Sequence, residues 1–480
     1  MQRLDDDSII RRVLWRLIPF CMLCYVFNYI DRVNIAMARL NMEDKAVGVP
    51  GFTENVYTIG AAIFFVGYFI FELPSNLIMQ RVGARWWIAR IMITWGIVSM
   101  GMAFVGGPRS FYCLRFLLGL AEAGFFPGVL LYMSYWLPQR YHARTAAIFL
   151  TSTAMSGLIG NPLGGGIMAL VTVHPVKLGT WQPQPWQWLF MLEAIPSVLL
   201  GLFTLLVLTD RPAGARWLAK PDRARLMEML AEEQERHPAT HLSDLRHAFS
   251  SVHTWMLSII YGLNIFSFYT LNFFTPSIIK KALIDAGTLV AETASHPASP
   301  KTTEYLWVGL LSAIPFGSAI IGMVLIGRHS DKVGERKMHL AFACVLIVIG
   351  MGGAGLALSF LTGTTATVAT IAGLSVGAAG AFGVFGPFWA LPAQFLTGTA
   401  AAAGFAIINS IGNLFGGSGQ FFFGKLTSSQ GLLLGAGFGL TGMVLVLLAP
   451  LRRPAQAEAP GFEVVTERVS IADGGGDSGR

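Results

Sequence analysis

Apolar residues in this chain do not alternate with polar ones. They run on for some twenty positions at a time, about a dozen times over. Each run is long enough to cross ~30 Å of hydrocarbon as a helix. We place them at Leu17–Met37, Val56–Met79, Trp86–Val105, Phe111–Leu131, Thr145–Leu170 and Trp188–Leu208. A second set covers Trp255–Ile279, Leu306–Ile326, Met338–Phe360, Val368–Leu391, Thr399–Phe423 and Leu432–Leu448. Inside a bilayer a helix satisfies its own backbone, so the expected fold class is all-α: a polytopic membrane protein of twelve transmembrane helices. The one long polar connector, Asp210–Ser251, separates two six-helix halves, 17–209 and 252–449. Within it, Arg225–Arg236 is rich in Glu, Arg and Leu and predicts an amphipathic surface helix. Residues 1–16 precede the first span, and the polar tail 450–480 reads as disordered.

Composition agrees with this picture. Charged residues are 13% of the chain, against about 25% in an ordinary soluble protein. The net charge of +7 does not point to nucleic acid, because the basic residues sit in short loops between apolar runs. Their distribution sets an orientation instead. Arg11, Arg12 and Arg16 precede span one; Arg81, Arg85 and Arg90 lie around the second loop; Arg140 and Arg144 follow span four. Arg211, Arg216, Lys220 and Arg223 follow span six, Arg328 to Lys337 join spans eight and nine, and Arg452 and Arg453 follow span twelve. All fall on one side, which the positive-inside rule makes cytoplasmic, so both termini are expected inside. Trp181, Trp186 and Trp188 then form an outer aromatic belt. The first run is long enough to span and lacks a small-residue cleavage site, so no cleaved signal is expected. Cys21 and Cys24 have CxxC spacing but lie inside an apolar span, and no metal site is expected.

The two halves echo each other. Arg81-Val82-Gly83-Ala84-Arg85 follows span two, and Lys332-Val333-Gly334-Glu335-Arg336 follows span eight. Repeats of this kind are a transporter trait. Gly327-Arg328-His329-Ser330-Asp331-Lys332-Val333-Gly334-Glu335-Arg336-Lys337 resembles the hallmark loop of the major facilitator superfamily. The first copy departs from that pattern, with Gln80 where an Asp is usual. Glu72-Leu73-Pro74-Ser75-Asn76, Asn28 to Asn34, Arg115 to Gly128, Phe388 to Pro392 and Gly404 to Asn413 resemble the anion:cation symporter family within it. That resemblance spans about Arg16 to Pro450. It implies a bacterial inner-membrane importer of an organic anion such as tartrate, galactonate, glucarate, phthalate or hydroxyphenylacetate. It also implies a cytoplasmic gate at Arg81, Gly83, Arg85, Gly327, Asp331, Lys332, Gly334 and Arg336.

Ionisable residues inside the spans mark the candidate chemistry, since each costs a few kcal/mol to insert. Asp31 lies 14 residues into span one, about 21 Å up the helix. Arg32 is its neighbour and points about 100° away, so the two cannot face one point. Arg115 and Glu122 share a face of span four. A carboxylate in a poorly hydrated cavity holds a proton more tightly, and a nearby cation loosens it. Asp31 and Glu122 are therefore expected to couple transport to protons, with Glu122 alternatively a structural partner of Arg115. Arg32 offers a bidentate fork to a substrate carboxylate, and Arg115 could do the same. Tyr29, Tyr68, Asn409 and Asn413 are candidate donors to a hydroxylated anion, and Trp389 a candidate packing surface.

The expected function is a secondary transporter importing an organic carboxylate by proton symport through alternating access. The alternative is sodium-coupled symport or exchange of an aromatic or dicarboxylic acid. The expected partners are the anion, protons and the lipid bilayer. No cofactor beyond the proton gradient and no nucleic acid are expected, and the chain is expected to be monomeric. An enzyme is disfavoured because the histidines lie in loops or near span ends and no HExxH occurs.

Overall fold

The computed structural model describes residues 2–44, 47–236, 250–289, 301–392, 398–423 and 425–449. The described chain up to Ala449 is one compact helical unit. The expected tail, 450–480, lies outside the described residues, as do 237–249 of the connector and 290–300 between spans seven and eight.

The first span is built from α1 (Gln2–Val33) and α2 (Ile35–Met42), interrupted at Asn34. Residues 2–16, expected to precede the span, therefore belong to its helix. The second and third spans are α3 (Glu54–Val82) and α4 (Ala84–Gly101). They are separated by Gly83, whose φ of +99° only glycine adopts without strain. Span four is divided into α5 (Pro108–Glu122) and α6 (Phe125–Ser134). Spans five and six are α7 (Gln139–Val173) and α8 (Pro185–Val207). The connector contains α9 (Lys220–Arg236), the expected surface helix, longer by one turn at its start. Arg225 anchors it to α1 through two 2.9 Å contacts with Asp6.

Beyond the connector come α10 (Val252–Asp285), α11 (Lys301–Val333) and α12 (Lys337–Phe360). The tenth span is α13 (Gly363–Gly383) with α14 (Phe385–Trp389), and the eleventh is α15 (Gly398–Ser418) with α16 (Gln420–Phe423). The last span is α17 (Ser428–Leu448). Among the described residues, eleven helices are long and apolar enough to cross a membrane. The remaining expected span, the eleventh, corresponds to α15.

The burial pattern is that of a bundle solvated by hydrocarbon. Leu206, Phe360 and Leu448 are more than three-quarters exposed, while Asn28, Thr58, Ser152 and Ser258 are buried. The two sets of six helices meet along α3 against α15 and α7 against α11. The helix α10 is buried on nearly every side and so runs through the middle.

Close packing of α5 and α6 on α3 positions the site. A Cβ on Gly119 would lie 2.1 Å from the Phe64 carbonyl oxygen. One on Gly124 would lie 2.3 Å from the Ser75 hydroxyl, and Gly124 also has φ +87°. Small residues let backbones approach where no hydrophobic effect drives helices together. Gly119→Val should force α5 off α3 and lower stability by about 1–3 kcal/mol, the usual cost of overpacking. The thermal midpoint in detergent measures this, and a midpoint equal to the parent's would refute the packing role.

Candidate functional site

Where the two sets of helices meet, residues of α1, α3, α6, α7, α10, α14 and α15 line a partly open cavity of about 30 Å³. This is room for about one water molecule. Arg32, Tyr29 and Tyr68 line one side, and Tyr269, Asn409 and Asn413 the other. The Arg32 guanidinium lies 4.9 Å from the Tyr29 ring centre and 5.4 Å from those of Phe64 and Tyr68. Such faces favour a cation most when water is absent.

Arg32 is ion-paired with Glu122. Its Nε donates to Glu122 Oε1 at 2.7 Å, and its Nη2 donates to the same oxygen. Both side chains are buried, 6% and 2% exposed. Glu122 ends α5, where the helix dipole opposes negative charge, so the Arg32 cation is its main compensation. The sequence had placed Glu122 on the same helical face as Arg115, but the structure gives its carboxylate to Arg32. Arg115 instead donates from Nε to the Gly60 carbonyl at 3.2 Å and lies 4.9 Å from the Phe64 ring centre. Its Nη2 has no hydrogen-bond partner among the described residues. Both guanidiniums thus lean on Phe64.

Asp31 faces away from the cavity, as the helical offset from Arg32 requires. It accepts from Trp95 Nε1 and Ser99 Oγ, each at 3.1 Å, and from Ser197 Oγ. This ties α1 to α4 and α8. The Tyr29 hydroxyl lines the cavity and has no hydrogen-bond partner among the described residues. Trp389 is not among the lining residues; it packs 5.1 Å from Tyr261 and 5.5 Å from Phe405, between ring centres.

Three residues of the site were not among the candidate site residues read from sequence, Glu72 having been noted only for the family resemblance of its segment. Glu72 accepts from Asn409 Nδ2 at 2.7 Å and from Ser410 Oγ, joining α3 to α15. Glu193 is 2% exposed in α8, near Asn34 and Asp31. Both carried the signal that found Glu122, an acid inside an apolar run. Tyr269 donates to Asn413 Oδ1 at 2.9 Å. A tyrosine in an apolar span is indistinguishable from core filler by sequence, so nothing marked it.

The paired loops differ in chemistry. After α11, Arg336 donates to Asp331 at 2.6 Å and to the Ser330 hydroxyl at 3.0 Å. Gly334 turns the chain with φ +74°. Glu335 caps α12, and although partial burial works against its charge, the Met338 and His339 N–H groups and the His339 ring hold its carboxyl below the usual range. Gly327 and Lys332 lie in the last turns of α11. After α3, the Arg81 and Arg85 side chains form no salt bridge among the described residues. The Arg85 backbone N–H donates to Asp210 Oδ1 at 2.8 Å, and a Cβ on Gly83 would lie 2.8 Å from the same oxygen. Asp210 therefore supplies, from the end of span six, a carboxylate at the loop where Gln80 lacks one.

The profile described as Major Facilitator Superfamily matches residues 21–420. A protein described as a candidate tartrate transporter of Agrobacterium vitis is 41% identical over 442 residues, covering 92% of this chain and 93% of that one. A candidate metabolite transport protein, NicT, of Pseudomonas putida is 38% identical, with 93% and 95% covered. The xylose transporter XylE of E. coli, in a partially occluded inward-open form, superposes with a TM-score of 0.64 at 13% identity. It covers 90% of this chain and 97% of that one, a likeness of fold.

Removing one member of a buried pair leaves an uncompensated charge, at a cost of about 3–5 kcal/mol. Arg32→Met should therefore destabilise the protein strongly. The double substitution Arg32→Met with Glu122→Leu should recover much of the thermal midpoint in detergent. Additive losses in the double variant would mean that the two side chains are not paired.

Proposed function

The chain belongs to the Major Facilitator Superfamily, and we propose that it imports an organic carboxylate anion of the tartrate or sugar-acid class by proton symport through alternating access. As a member it is a multi-pass membrane transporter and not an enzyme. The observation that carries the finer reading is the buried Arg32–Glu122 pair, whose arginine lines the cavity between the two sets of helices. Arg32 has the planar fork that matches a carboxylate, and its occupant is already a carboxylate. An arriving substrate anion competes with Glu122 for that fork. Glu122, once displaced, is a buried acid at a helix end without a cation. A proton neutralises it at less cost than burying the bare charge. Anion and proton thus enter together, because neither change is favourable alone.

The identity of about 40% to the protein described as a candidate tartrate transporter supports a small hydroxylated anion. So do the Tyr29 hydroxyl and the Asn409 and Asn413 amides at the cavity wall. Arg115 supplies a second cation on the other contact of Phe64, suited to the far carboxylate of a dianion. Asp31, held by three donors, serves as a second proton site whose neutralisation loosens the tie of α1 to α4 and α8. The 30 Å³ cavity is too small for such a substrate, so the helices must part on one side or the other to admit it. The arginine-rich loops support an inner-membrane orientation with both termini in the cytoplasm.

Glu122→Gln keeps the shape and removes the titration. In proteoliposomes it should retain substrate counterflow and lose accumulation driven by a pH gradient. If it still concentrates substrate as well as the parent, coupling does not run through Glu122. Arg32→Lys should weaken anion binding by about 10- to 100-fold, since a point charge does not reproduce the fork. Isothermal titration of the purified variant tests this, and parental affinity would move the anion site elsewhere. Single cysteines placed in α9 should react in intact cells only with a membrane-permeant reagent. Ready labelling by an impermeant one would invert the topology.

A further inference from the structure

Glu72 takes no part in the scheme above, yet it is a carboxylate only 4% exposed, deep in α3. It ends a continuous line of hydrogen bonds across the cavity wall. Tyr269 Oη donates to Asn413 Oδ1 at 2.9 Å, and Asn413 Nδ2 donates to Asn409 Oδ1 at 2.9 Å. Asn409 Nδ2 then donates to Glu72 Oε1 at 2.7 Å, while Ser410 holds Oε2. At the opposite end the Tyr269 hydroxyl lies beside the Arg32 guanidinium. The line therefore runs from a phenol hydroxyl beside a cation to a carboxylate that, when ionised, can only accept.

This arrangement has a direction. An amide can turn over and exchange its donor and acceptor ends, and its setting follows from its partners. With an obligate acceptor at Glu72, Asn409 must offer nitrogen to it and oxygen to Asn413. Asn413 must then offer nitrogen to Asn409 and oxygen to Tyr269. Each amide nitrogen has a second hydrogen left over, and both residues line the cavity. The wall opposite Arg32 therefore presents N–H donors, with both amide oxygens already engaged.

We propose that Glu72 is a positioning residue that sets specificity: it fixes the direction of the Asn409–Asn413 pair so that the cavity offers donors to the hydroxyl and carboxylate oxygens of the substrate. No proton passes along the line, since amides hold theirs. This inference rests on the organic-anion reading for its substrate, but its physical basis, coupling along the line, can be measured with no substrate present.

The test combines two measurements on the purified full-length chain. Glu72 and Tyr269 are separated by two amides, and independent sites at such a remove give additive stability changes. In Glu72→Gln the terminal group can donate, the amides are free to turn, and Tyr269 loses its assured acceptor. The thermal-midpoint shifts of Glu72→Gln and Tyr269→Phe should therefore combine less than additively. Simple additivity overturns the proposal. The second measurement compares uptake of tartrate, malate and succinate, which differ by one hydroxyl at each step. The parent should prefer tartrate. Glu72→Gln should raise KM for tartrate relative to succinate by about tenfold, near the value of one hydrogen bond to substrate, with the maximal rate retained. Glu72→Asp should restore part of the preference. An unchanged KM ratio also overturns the proposal, even where the midpoints are coupled. Should Glu72→Gln fail to fold, the double variant Glu72→Gln with Asn409→Asp moves the acceptor one link along the line. It should keep part of the parental preference, because Asn413 is still held in its original sense although the side chain at 409 no longer offers an N–H; complete loss of preference there refutes the mechanism. If the parent transports none of the three acids, the organic-anion reading falls, and the midpoints alone still decide whether Glu72 directs the line.

Discussion

The contact between Arg32 and Glu122 constrains everything built around it. Two opposite charges in a bundle surrounded by hydrocarbon have lost their hydration, and each is tolerable only because the other is near. To bring them together, α5 must lie against α3 closely enough for Gly119 to touch the Phe64 carbonyl. To keep them dry, the rings of Tyr29, Phe64 and Tyr68 surround the guanidinium. On its arginine side the pair borders a cavity and not the bundle core. Packing, aromatic content and the position of the cavity are thus linked through one interaction.

Adjacent residues on α1 divide the labour. Arg32 meets α5 across the cavity wall, while Asp31 meets α4 and α8 behind it. Any rotation of α1 acts on both contacts together. Glu193, buried in α8 near Asp31, adds a second acid to that rear cluster. The front of the helix meets a carboxylate and the back hydrogen-bond donors, on one rigid element.

Most of the fold was legible because lipid leaves few choices. Spans such as Met338–Phe360 matched α12 within a residue, since a helix must stay apolar as long as it faces hydrocarbon. The different facings of Asp31 and Arg32 also followed from helical geometry alone. Periodicity, however, sees only along one helix. It related Arg115 to Glu122, whereas the partner that Glu122 has comes from α1, across an approach set by glycines on α5 and α6. The extent of α1 was underestimated because its polar first turns, steadied by Arg225 on Asp6, carry no apolar signal. Asn409 and Asn413 were recognised as a pair sharing a face, but the acid that terminates their hydrogen-bond line lies far away in sequence.

The break in span four has a mechanical consequence. The backbone leaves helical geometry at Ala123 and takes a left-handed turn at Gly124, immediately after Glu122. A single stiff rod would carry any tilt at one membrane face straight through to the other, and both faces would yield together. Two short levers sharing a fulcrum need not move in concert. The charged pair sits at that fulcrum, so under the alternating access proposed above its making or breaking would free one lever while the other stays seated, and the carrier would never become a pore.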